Sequence, residues 1–160
     1  MMLRRGLLLG LGALAVPQAA GAQDGPQPEL RKERLTIITL RGKSYSFMVE
    51  MAVEPAQQSI GLMFRPRVPA DGGMLFDWGR PRRSQMWMRN TIISLDMVFI
   101  GQDGQIKTIA ERTVPQSLAV IDSVVPVRAT LELAAGTCER LDIRVGDRAV
   151  HQIFQGAAAG

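Results

Sequence analysis

Within Gln85-Met86-Trp87-Met88-Arg89-Asn90 lie an aromatic plate, a guanidinium and two amides, the groups that stack on and hydrogen-bond a polar ligand. On a strand, Met86 and Met88 point to one side while Gln85, Trp87 and Arg89 point to the other. The methionine side is ordinary core filling. The opposite side is either a ligand surface or a tryptophan packed into the core beside an arginine whose stem covers apolar atoms.

Asp96 stands inside Leu95-Asp96-Met97-Val98-Phe99, and Glu132 lies between Leu131 and Leu133. A carboxylate in such company is hydrogen-bonded by nearby backbone N–H groups or ionised for a purpose. The simpler role for Asp96 is to tie down the 90–95 connection. Were Asp96 and Glu132 to converge across a cleft, they would form an acid/base pair of the kind that hydrolyses glycosides.

Six arginines fall between residues 65 and 89, Arg65, Arg67, Arg80, Arg82, Arg83 and Arg89, against Asp71 and Asp77. They would line an anion site, or they belong to two solvated loops marked by Pro66, Pro69 and Pro81, which is the reading preferred here. Thioethers bind Cu(I), and methionines recur at Met48, Met51, Met63, Met74, Met86, Met88 and Met97. Most of these fall at core-facing positions, so packing is the stronger reading, and no metal or other cofactor is expected. Cys138 is the single cysteine, without a cationic nest to activate it, and reads as a buried, inert thiol. His151 is the single histidine and alternates with Ile153 on an expected terminal strand, a structural position. No Gly-x-Ser-x-Gly elbow, Cys-x-x-Cys, His-Glu-x-x-His or phosphate-cradling glycine loop occurs.

The elements that must position these residues have a period of two. Leu35–Leu40 is a short β-branched run, and Gly42 turns it into a segment apolar at Tyr45, Phe47, Val49, Met51 and Val53. Leu95–Ile100 reads as a central strand, joined to Ile106–Val114 by the Asp103-Gly104 turn. Thr130–Leu133 and Ala149–Phe154 follow. A helix is expected over about 55–63, with Pro55 at its first position and Gly61 marking its end, and a second helical turn over about 137–141. The expected fold is mainly β, a compact sandwich or barrel of seven to eight short strands.

The chain opens with a different pattern. Arg4 and Arg5 precede an apolar run of eleven residues, Gly6–Val16, and then Ala20-Gly21-Ala22, a small-x-small cleavage pattern. Eleven residues rise about 16 Å as a helix, roughly half of a hydrocarbon core of about 30 Å. The segment therefore reads as a signal peptide cleaved after Ala22, leaving an exported protein with no transmembrane segment after processing. The paired arginines admit either the general or the twin-arginine route. Residues 23–34 read as a flexible lead-in, 35–154 as one domain, and 155–160 as a disordered tail. Losing two arginines lowers the net charge from +4 to +2, so the bulk basic footprint of a nucleic-acid binder is missing.

Five blocks occur in order: Gly61-Leu62-Met63-Phe64-Arg65, Gly73-Met74-Leu75-Phe76, Met86-Trp87-Met88-Arg89-Asn90-Thr91, Leu95-Asp96-Met97-Val98-Phe99 and Leu131-Glu132-Leu133-Ala134-Ala135-Gly136. Over about residues 46–150 the chain resembles the domain-of-unknown-function 192 family, small and often exported bacterial and archaeal proteins. The resemblance implies a compact, mainly β domain and brings no activity, cofactor or catalytic residue. Family members commonly carry charged residues before Gly61, where this chain has Gln57-Gln58.

The residues thus point to a monomeric periplasmic binding or accessory module rather than an enzyme. Its candidate site is Trp87, Arg89, Asn90 and Asp96 with Arg65 and Glu132, and its ligand a polar or anionic small molecule or envelope component. The alternative is a hydrolase using Asp96 and Glu132.

Overall fold

A computed structural model describes residues 25–155; the signal segment and all of the tail but Gln155 lie outside these residues. The described chain forms β1 (Lys32–Ile38), β2 (Ser44–Ala52), α1 (Pro55–Ile60), β3 (Gly72–Arg82), β4 (Gln85–Met86), β5 (Leu95–Ile100), β6 (Ile106–Ala110), β7 (Ile121–Asp122), β8 (Val127–Ala134), α2 (Thr137–Leu141) and β9 (Arg148–Val150). A 3₁₀ turn over Gln152–Phe154 follows. The fold is mainly β, as expected, with nine strands in place of seven to eight.

Seven strands make one curled sheet in the order β6-β5-β8-β3-β2-β1-β9, and β4 pairs with β7 in a small second sheet. The curl is a half-barrel whose two edge strands approach each other at one end. There Gln105 bridges Arg148, and the Ala149 N–H donates to the Gly104 carbonyl at 2.8 Å. Gly104 has φ +80°, and a Cβ on it would lie 2.5 Å from the Ala149 carbonyl oxygen. Only glycine meets both demands.

The strand expected to run to Val114 ends at Ala110, and the one expected over Ala149–Phe154 is three residues followed by the 3₁₀ turn. His151 is consequently not on a strand. It caps that turn through Nδ1 and its Nε2 lies 2.9 Å from Glu33. The helix expected over 55–63 stops at Ile60, where Gly61 turns the chain away. Gln57 explains the helix start: its side-chain oxygen accepts the N–H groups of Val53 and Glu54, both at 3.0 Å.

Two findings correct the sequence reading more deeply. Residues 72–82, given no strand in the sequence reading and carrying Pro81 as a loop marker, form the eleven-residue β3 at the middle of the sheet, parallel to β2 and antiparallel to β8. The described part of the lead-in, from residue 25, is docked rather than loose: Gln27 is buried and its amide donates to Gly61 O at 2.8 Å and Gln57 O at 3.1 Å.

Both faces of the curled sheet carry an apolar core. On one face, Leu35, Phe47, Val49, Leu75, Val98, Leu131 and Leu133 pack with Cys138 of α2. On the other, Met74, Phe76, Met97 and Phe99 pack with Met88, Leu62 and Val127. Alternation along β5 and β8 thus decides which face each charged residue meets.

Candidate functional site

Register sets the positions of the two central carboxyls. Asp96 pairs with Leu133, and Glu132 pairs with Met97 and Met74. Directly opposed residues share a face, so Asp96 sits on the Leu133 face and Glu132 on the methionine face. The two acids stand on opposite sides of the sheet and form no facing pair.

Asp96 is fully buried and its carboxylate accepts three backbone N–H groups. These are Arg112 at 2.9 Å, Gly136 at 3.1 Å and Cys138 at 2.9 Å. It therefore anchors the turn after β6 and the start of α2, not the 90–95 connection. Burial, the Asp96 and Glu111 charges and the Asp96 hydrogen bond together push the Cys138 thiol well above its ordinary range, which disfavours the thiolate.

Glu132 differs. It is 4% exposed, and its Oε2 has no hydrogen-bond partner. Desolvation alone pushes its carboxyl up to about 8, so the group is a neutral acid at pH 7. It lines a cavity of about 360 Å³ walled by Phe76, Trp78, Trp87, Met63 and Leu62, with Gln58, Gln85, Thr91 and Arg82 supplying the polar edge. Phe76 and Trp78 stack with centroids 5.7 Å apart, and the Trp78 Nε1–H donates to the Thr130 hydroxyl at 3.2 Å. Gln58 is fixed by donating to Asp77 O at 2.7 Å.

Trp87 lies just beyond the short β4, and the expected alternation survives there: Met88 is fully buried while Trp87 is 47% exposed. Arg89 is exposed and holds its guanidinium 5.6 Å from the Trp87 ring centroid, but it is not among the residues lining the cavity. Asn90 turns the chain with φ +54°, a conformation asparagine tolerates, and its carbonyl accepts the Phe64 N–H at 2.9 Å. Arg65 belongs to a second cavity of about 260 Å³ and does not join Trp87. There it holds both oxygens of Glu50, at 3.2 and 3.1 Å, and donates to Gln27 O at 3.2 Å.

Of the six candidates, the structure brings together Trp87 and Glu132. The remaining arginines of the 65–89 cluster divide: Arg82 stands 4.4 Å over Trp78, Arg83 pairs with Asp122 at 3.0 Å, and Arg67 and Arg80 are exposed. Trp78 was missed in the sequence, although Met74, Phe76 and Trp78 recur at a period of two. Gly79, Pro81 and the surrounding arginines masked that signal.

Fold and site together define a small curled-sheet β domain with one tryptophan-walled cavity over a buried acid. The chain belongs to the DUF192 family, described as "Uncharacterized ACR", whose model matches residues 36–151. Two solved structures are similar to it. A protein of Sinorhizobium meliloti described as a "putative transcription regulator" is 48% identical, with 78% of this chain and 96% of that one covered and a TM-score of 0.75. A protein of unknown function from Novosphingobium aromaticivorans is 33% identical, with 88% and 100% covered and a TM-score of 0.75. No curated protein matches the chain.

Proposed function

We propose that the chain is exported after cleavage behind Ala22, and that the cavity between Trp78 and Trp87 binds a small polar molecule of the cell envelope. One observation carries this reading: a buried carboxyl with an unpartnered oxygen lines the same cavity as both tryptophans of the chain. An unpaired buried polar atom costs about 1–3 kcal/mol, a penalty that a bound ligand relieves. Apolar walls with few convergent polar groups are the usual make-up of a small-molecule site. Trp87 supplies a half-exposed stacking face, and Glu132 supplies the polar anchor.

The anionic variant of this reading loses support, because Arg65 is neutralised by Glu50 and Arg89 lies outside the lining. The hydrolase variant needs two facing carboxyls, and the cavity lining includes Glu132 alone. The regulator description of the Sinorhizobium relative gains nothing from the α-helices among the described residues, whose six and five residues are too short for recognition helices.

A thermal-shift screen of envelope glycans and peptides tests the binding reading, since a ligand of the native state raises its melting temperature. A ligand that stabilises the chain but not Trp87→Ala supports it; one that stabilises both equally binds elsewhere. Sequencing the N-terminus of the protein recovered from the periplasm tests export: a start at Gln23 is expected, and an intact Met1 in the cytoplasm contradicts it.

A further inference from the structure

The character of the cavity bears on which polar ligand it takes. Glu132 sits between Met74 and Met97 of the two adjoining strands, and neither neighbour carries charge or a hydrogen-bond donor. Phe76, Trp78 and Trp87 line the same space, and aromatic faces attract cations. Both indoles already carry a guanidinium on one side, Arg82 at 4.4 Å and Arg89 at 5.6 Å. Taking the cavity as a binding site, as proposed above, we infer that its ligand presents an ammonium group, set against the Glu132 carboxylate with its carbon skeleton on the aromatic walls.

Charge decides against the alternatives. Among the described residues, Arg82 is the only other charged one lining the cavity, and it is exposed and held on Trp78. An anion would meet π faces and a buried acid that ionises reluctantly. A neutral hydroxyl would satisfy Glu132 but would gain only apolar contact from the aromatic walls, without the attraction that a π face adds for a cation. An ammonium satisfies both surfaces.

The proton balance follows from the free state. Burial raises Glu132 to about 8, so the empty cavity holds the protonated acid at pH 7. Docking a permanent cation converts it to carboxylate and releases the proton to buffer. The ionisation costs about tenfold in binding at pH 7, which the attraction between the cation and the carboxylate must offset.

The probe is benzyltrimethylammonium, which has no proton of its own, titrated calorimetrically into the full chain at pH 7 in phosphate and in Tris. Tryptophan emission is followed in parallel. Phenylacetate and benzyl alcohol serve as the anionic and neutral counterparts. Cation binding should change the emission and release about 0.9 proton per site. Glu132→Gln should abolish the release and weaken the cation at least tenfold. If the cation binds without proton release, or phenylacetate or benzyl alcohol binds as tightly with the same change in emission, the ammonium inference is overturned while the cavity remains a binding site. If none of the three alters tryptophan emission, the ammonium inference is overturned, and the binding reading is then decided by the thermal-shift screen described above. Should Glu132→Gln fold poorly, the buffer dependence of the unchanged chain still decides.

Discussion

Asp96 and Glu132 are both acids on apolar strands, yet their surroundings assign them opposite tasks. Three backbone N–H groups converge on Asp96, whereas Glu132 leaves one oxygen unpartnered. Asp96→Ala strands three donors around a buried gap and is expected to destabilise the domain by about 3 kcal/mol or more, read from denaturant unfolding. A loss below about 1 kcal/mol would mean that those donors find other partners. Glu132 predicts a pH dependence of definite sign. Burial raises its folded pKa above the ordinary 4.5 to about 8, so the native state holds a proton that the unfolded chain gives up. Its contribution is fully present below about pH 4.5 and is lost as pH rises toward 8, at up to about 1.4 kcal/mol per pH unit. Glu132→Gln should remove that slope from unfolding free energies measured between pH 5 and 8. Identical slopes in the two proteins would show that Glu132 ionises as freely folded as unfolded.

Elements were legible where local pattern and tertiary role agree. Leu95–Ile100 is the strand its composition announces, and the Asp103-Gly104 turn makes the expected hairpin with β6. The strand β3 was hidden because its requirements are tertiary. Gly73 reads as a strand breaker, but a Cβ there would lie 2.5 Å from the Glu132 carbonyl oxygen, so glycine is what lets β3 pack against β8. Beyond Asp77 the pairing shifts register before Arg82, which accommodates Gly79 and Pro81 without ending the strand. The same limit hid half of the site: Trp87 and Glu132 were visible as candidates, but only the register of β8 places them around one cavity and removes Asp96 from it. Closure of the curl depends on Gly104. Gly104→Ala is expected to cost at least about 1–2 kcal/mol from its left-handed backbone alone, with the clash on Ala149 adding to it. A melting temperature within a degree of the unchanged chain would contradict the closure described here.

For the whole molecule, apolar cores cover both faces of the sheet, and the cavity lies on the methionine face, lined by residues of α1 and β4. Stability and binding are therefore separable. Leu131→Ala, in the core on the far face, should cost about 2–5 kcal/mol. Trp87→Ala removes a half-exposed side chain and should change stability by less than about 1 kcal/mol. Because both tryptophans of the chain line the cavity, intrinsic fluorescence reports on that one place. The decisive measurement is a fluorescence titration of the chain and of Trp87→Ala with a ligand that raises the melting temperature. A saturable emission change in the chain, and affinity reduced at least tenfold in the variant at unchanged stability, is the predicted result. Stabilisation by ligand with no change in emission would place binding elsewhere and contradict the account.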